Sequence, residues 1–203
     1  MKLVYRLFNA LHFFLYVLGS KAYNAISLSV HNINYQKDII INGYPKFNIH
    51  KNGKLIIGNC FKLNSGNVFN SIGRNQRSLI SVGNNASLEI GNNVGMSSVA
   101  IVCQKLIYIG DNVRIGGNTI IYDTDFHSLE ANERTAIPEL TKNIKTKNIR
   151  IDDNVFIGGH SIILKGSSIG KNSIIGAGSV VSGEIPANEI WGGNPAKFIR
   201  SIS

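Results

Sequence analysis

The stretch IIYDTDFHSL, residues 120–129, sets two carboxylates and an imidazole on alternate residues: Asp123, Asp125 and His127. If the chain stays extended, side chains alternate with period two and all three share one side. Three kinds of chemistry use such a trio. Alternating aspartates open a calcium-binding EF-hand loop, but that loop needs Gly at its sixth place and Glu at its twelfth, where Ser128 and Arg134 stand. Zinc wants several histidines at short spacing, and His12, His31, His50 and His160 are all remote from His127 in the chain. General base catalysis needs one histidine only, because neutral imidazole can take the proton of an alcohol as it attacks an activated acyl group. Asp123 and Asp125 would then hold the imidazole, bind sugar hydroxyls or form a solvated turn.

The cluster lies where a regular pattern stops. From Ile151 apolar residues recur every sixth place, at Ile151, Ile157, Ile163, Ile169, Ile175 and Val181, and four places after each of the first five come Val155, Ser161, Ser167, Ser173 and Ser179. Backwards, the same step runs through Ile121, Ile115 and Ile109, slips by one residue, and resumes at Val102, Met96 and Ile90. A unit this short buries its apolar side chain only against equivalent residues of neighbouring coils, which is the signature of a solenoid. Strands of a β-sandwich would be spaced about 8 to 12 residues apart. Gly and Asn fill the turns because they tolerate positive φ. Between Ile121 and Ile151 the sixes lapse, so residues 128–149 are expected to project as a loop with His127 at its base.

The repeats, together with the closing IGAGSVVSGEIPANEIWGGNPAKFIR, resemble the hexapeptide-repeat acyltransferases over roughly residues 50–200. The resemblance implies an all-β fold, a left-handed parallel β-helix of triangular section over residues 38–190 with a C-terminal extension (191–203), and residues 1–37 are expected to form a short, apolar N-terminal helical segment ahead of it. It implies an acetyl-CoA-dependent O-acetyltransferase acting on a sugar or polysaccharide, a homotrimer, His127 as general base and no metal. DTDFH is similar to the form seen in many sugar O-acetyltransferases. On the cofactor side, the resemblance assigns a backbone N–H to Gly159 and a pantetheine contact to Ala177. It places Phe156 where relatives often carry Trp, and Ser182 and Gly183 where they frequently carry Thr-Lys. Lys197 and Arg200 are candidates for the phosphates of CoA. The β-helical carbonic anhydrases, which share the fold, use three histidines that have no counterpart here. The rival readings are an N-acetyltransferase of a nucleotide-linked amino sugar and a non-catalytic β-helical scaffold.

The composition sets outer bounds. With 203 residues, one domain is expected. The 21 Lys and Arg against 12 Asp and Glu give a formal net charge of +9, which favours an anionic partner. No basic run is interleaved with aromatics, so nucleic acid is the weakest candidate. Cys60 and Cys103 lack metal-ligand spacing and read as reduced, buried residues of a cytoplasmic protein. The N-terminal stretch starts with Lys2 and Arg6 and continues apolar, but Asn9 and His12 interrupt it before the roughly 20 apolar residues of a spanning helix. It is expected to cap the open end of the β-helix, with peripheral contact at the inner face of a membrane as the alternative.

Overall fold

The computed structural model describes residues 1–70, 72 and 75–202. From residue 34 onward the chain winds as a three-sided parallel β-helix, with sheets of seven, eight and six strands among the described residues. Each turn contributes one short strand to each face. On the first face Ile109 pairs with Ile151 and Ile151 with Ile169. On the second Ile115 pairs with Ile157 and Ile157 with Ile175. On the third Ile121 pairs with Ile163 and Ile163 with Val181. The six-residue period therefore stacks like residues in register, and these isoleucines fill the axis almost without exposure. Burying each such side chain contributes about 1.5–3 kcal/mol. Three parallel faces around one core agree with the left-handed β-helix that the resemblance implies.

Each edge of the prism has its own chemistry. Between the first and second faces runs a column of asparagines with left-handed φ, Asn93, Asn112, Asn154, Asn172 and Asn188, between 53° and 63°. Each Nδ2 in the column donates to the Oδ1 of the next residue at 2.7–3.0 Å. Between the second and third faces, buried Ser161 and Ser179 and buried Thr119 donate to the carbonyls of Gly158, Gly176 and Gly116 three residues earlier. Small hydroxyl residues recur here because a buried corner carbonyl needs a donor.

Three expectations need correction. The slip in the repeat falls elsewhere: Ile101 and Cys103 face the core, whereas Val102 is half-buried and points outward. The N-terminal segment, expected as a short helix, is a 29-residue one, α1 (Lys2–Val30), so all-β describes the coil and not the whole chain. This helix is long and apolar enough to cross a membrane by length and composition, and it caps the coil with its C-terminal half only. Asn24 donates to the Ile41 and Gly43 carbonyls, both at 3.0 Å, Leu28 and Ile33 enter the core, and Tyr16 packs edge-on against Tyr44. Cys60 is exposed, at a turn with φ 56°, and only Cys103 is buried.

Candidate active site

The third-face strand Ile120–Tyr122 should turn directly into the first face, but the chain leaves the prism there and returns at Ile149–Ile151. The neck of this excursion is a short antiparallel ladder. Thr124 bridges Thr146, Asp125 N–H donates to the Lys145 carbonyl at 3.1 Å, and Lys147 N–H donates to the Asp123 carbonyl at 3.0 Å. Beyond the neck, helix α2 (Ala131–Arg134) folds back on Ser128. Ser128 Oγ donates to Glu133 at 2.6 Å, and Arg134 donates to the Ser128 carbonyl at 2.7 Å.

The alternation expected of Asp123, Asp125 and His127 does not survive this geometry, because the strand ends at Tyr122 and Phe126 takes φ 65°. Asp123 turns inward and is fully buried. Its carboxylate accepts the backbone N–H groups of Gln104, Lys105 and Leu106 at 2.7–3.0 Å and ties down the corner of the preceding coil. The assignment of Asp123 to substrate is thus corrected: its oxygens are spent on the backbone. Asp125 is mostly buried and pairs with Lys165 at 2.7 Å through Oδ1, while Oδ2 has no partner among the described residues. Against Asp123 lies Cys103, whose thiol is pushed up to about 12, first by burial and then by the neighbouring carboxylate.

His127 is exposed at the base of the loop, and its Nδ1 meets Glu139 Oε1 at 2.9 Å and Oε2 at 3.1 Å. A carboxylate can only accept, so Nδ1 is the donor, and in the neutral ring the lone pair is on Nε2. Nε2 has no partner among the described residues.

The remaining candidates divide between two edges of the prism. Ser182 and Gly183 lie exposed at the edge between the third and first faces, the edge that bears the loop neck, in the turn that follows Val181. Phe156 lies half exposed on the second face beside Lys62, Asn64, Ser97 and Arg114, around a hollow of about 270 Å³. Gly159 and Ala177 occupy successive turns of the edge between the second and third faces, and neither N–H donates to a backbone carbonyl among the described residues. A Cβ on Gly116 would collide with the Gly159 nitrogen, and one on Gly158 with the Ala177 nitrogen. Close stacking of this edge thus requires residues without side chains. Lys197 and Arg200 are exposed on the strand Lys197–Ser201, which folds back antiparallel onto Glu189–Gly192 at the end of the second face. Within one chain, His127 and the Gly159–Ala177 column therefore stand on different edges.

Residues 148–183 match the bacterial transferase hexapeptide family (six repeats). The chain is 38% identical to a galactoside O-acetyltransferase of Escherichia coli (strain K12) over 110 residues, 52% of this chain and 49% of that protein. To a galactoside O-acetyltransferase of Lactococcus lactis it is 36% identical over 108 residues, 52% and 48% of the two chains. The chain spans about half the length of these relatives. Among solved structures, a galactoside acetyltransferase in complex with coenzyme A superposes with a TM-score of 0.54 at 33% identity, over 71% of this chain and 66% of that one. The N-acyltransferase AntD of Bacillus cereus, in complex with dTDP and 3-hydroxybutyryl-CoA, superposes with a TM-score of 0.67 at 23% identity, over 87% of each chain, a likeness of fold.

Two residues of the candidate site carry no clear mark in the sequence. Glu139 lies twelve places after His127 in a segment without periodicity, and only the fold of the loop brings it to Nδ1. Arg114, an outward residue of a repeat, stands beside Phe156 on the second face. Its one signal is a cation at an outward strand position, which is common on any surface.

Proposed function

We propose that the chain transfers an acetyl group from acetyl-CoA to a sugar hydroxyl, in the building of a surface polysaccharide, with His127 as general base. The pairing of His127 Nδ1 with Glu139 at 2.9 Å carries this reading, and similarity to galactoside O-acetyltransferases supports the choice of acceptor. Nε2 takes the proton of the acceptor hydroxyl while its oxygen attacks the thioester carbonyl. As the tetrahedral intermediate collapses, the C–S bond breaks and CoA leaves as its thiol, carrying the proton that Nε2 gives back. Ser128, next in the chain, is buried and bonded to Glu133. Among the described residues no nucleophile then stands at the base, and the acetyl group passes directly to the acceptor. A backbone N–H at the Gly159 corner would meet the oxyanion, Ala177 the pantetheine arm, and Lys197 and Arg200 the phosphates.

These residues lie on two edges, so the site is complete only where one copy's His127 edge faces another copy's Gly159–Ala177 edge. A ring of three copies satisfies this with three equivalent clefts. The cytoplasm, where acetyl-CoA is supplied, is the compartment that suits this reaction.

Thiol release from acetyl-CoA, measured across a panel of sugars and amino sugars, tests the proposal. His127→Ala should lower turnover by about two to four orders of magnitude and leave CoA binding nearly unchanged. Full activity in that variant would remove His127 from the mechanism. Acetylation of amines but not of alcohols would replace O-transfer by N-transfer, and inertness toward every acceptor would favour the scaffold.

A further inference from the structure

The half of α1 that the body leaves uncovered is patterned. At about 100° per residue, Val4, Leu7, Leu11 and Leu18 fall on one stripe that Phe8 and Phe14 widen, and all six are 56–70% exposed. The opposite side of the helix meets the body from Phe13 onward, where Phe13 and Tyr16 pack on Phe69 and Asn24 is buried. Lys2, Arg6, Asn9 and His12 fall on the side away from the stripe, ahead of that contact. No Asp or Glu occurs before Asp38.

Two occupants compete for the stripe. A second copy of α1 would offer no carboxylate to Lys2, Arg6 and Lys21, since the helix carries none. The stripe also spans well over 100° of the circumference, wider than the narrow seam of a coiled coil. An anionic lipid surface answers both features, since the acyl boundary takes a broad face of Leu and Phe while headgroups meet the cations. The segment belongs to the folded protein, because residues 24 and 28 of the same helix are held in the first coil.

We propose that residues 2–18 of α1 lie in the plane of an anionic phospholipid bilayer, with the Val4–Leu18 stripe in the acyl boundary. The inference stands apart from the acetyl-transfer reading, since it is measured without acyl donor or acceptor.

The test is co-sedimentation of the full chain with vesicles of phosphatidylcholine, with and without phosphatidylglycerol, at low and high salt. Partition should be at least about tenfold stronger on the anionic vesicles and fall with salt. The double substitution Leu7→Asp with Leu11→Asp should lower it by at least about tenfold, without changing the melting temperature, because both side chains are solvent-exposed. Equal binding to neutral and anionic vesicles, or undiminished binding by the double variant, overturns the proposal. If the variant instead splits an oligomer seen by light scattering and wild type ignores vesicles, the occupant is a second copy. Resistance of bound wild type to alkaline carbonate extraction would replace in-plane binding by spanning.

Discussion

At the scale of single residues, the imidazole of His127 is oriented from one side by Glu139. Glu139 touches no reacting atom in the proposed chemistry, so its role is to hold the tautomer. Glu139→Ala should lower kcat by about one to two orders of magnitude with the acetyl-CoA KM unchanged, and Glu139→Asp should restore part of the loss. Steady-state kinetics on both variants decide it, and a wild-type kcat in Glu139→Ala would leave the pair without function. The two thiols make a second contrast. Cys103 is pushed from 9.0 to about 12 by burial and by Asp123, whereas Cys60 is exposed. The native protein should therefore react with a thiol reagent at one site per chain and the unfolded protein at two. Because the folded-state value is raised, the unfolded chain sheds a proton between about pH 9 and 12 that the folded chain keeps. Stability is lost across that window, and Cys103→Ala should flatten the alkaline fall of the urea midpoint.

At the scale of elements, the asparagine column does what the apolar stacking cannot: it fixes the corner conformation of each coil. Asn154 has φ 60° and bonds both its neighbours in the column. Asn154→Gly keeps the backbone conformation and loses the two bonds, while Asn154→Ala loses both conformation and bonds. The alanine variant should be less stable than wild type by about 2 kcal/mol, with glycine between them, read from urea unfolding. A glycine variant as unstable as the alanine variant would show that the bonds, not φ, dominate. The repeat itself is legible from Ile151 to Val181 because each six-residue block places one side chain at the axis. Its phase is lost at Val102 because Val99, Ala100, Ile101, Val102 and Cys103 are all apolar. Such a run has no polar residue to mark which parity faces out.

At the scale of the whole molecule, one prism carries the proposed base on one edge and the small-residue column on another. In the proposed trimer the two close into one cleft, so light scattering of active enzyme should give three times the 22.2 kDa chain. Activity that persists in a monomer at assay concentration would refute the shared cleft. Helix α1 sits outside this closed arrangement, with its C-terminal half serving as the cap and its N-terminal half projecting beyond the first coil.

Taken by itself, the sequence determined the coil, the break at His127 and the loop, because a period of six in a chain rich in Gly and Asn leaves a stacked solenoid as the economical way to bury every sixth side chain; the three faces were implied by the family resemblance. Only the tertiary structure decided that Asp123 braces the backbone and that Glu139 reaches His127. It also decided that Cys60 is open to solvent and that α1 is half cap and half projection. Each of these depends on a contact between residues distant in the chain, or on a single left-handed turn such as Phe126. Local spacing carries no information about either.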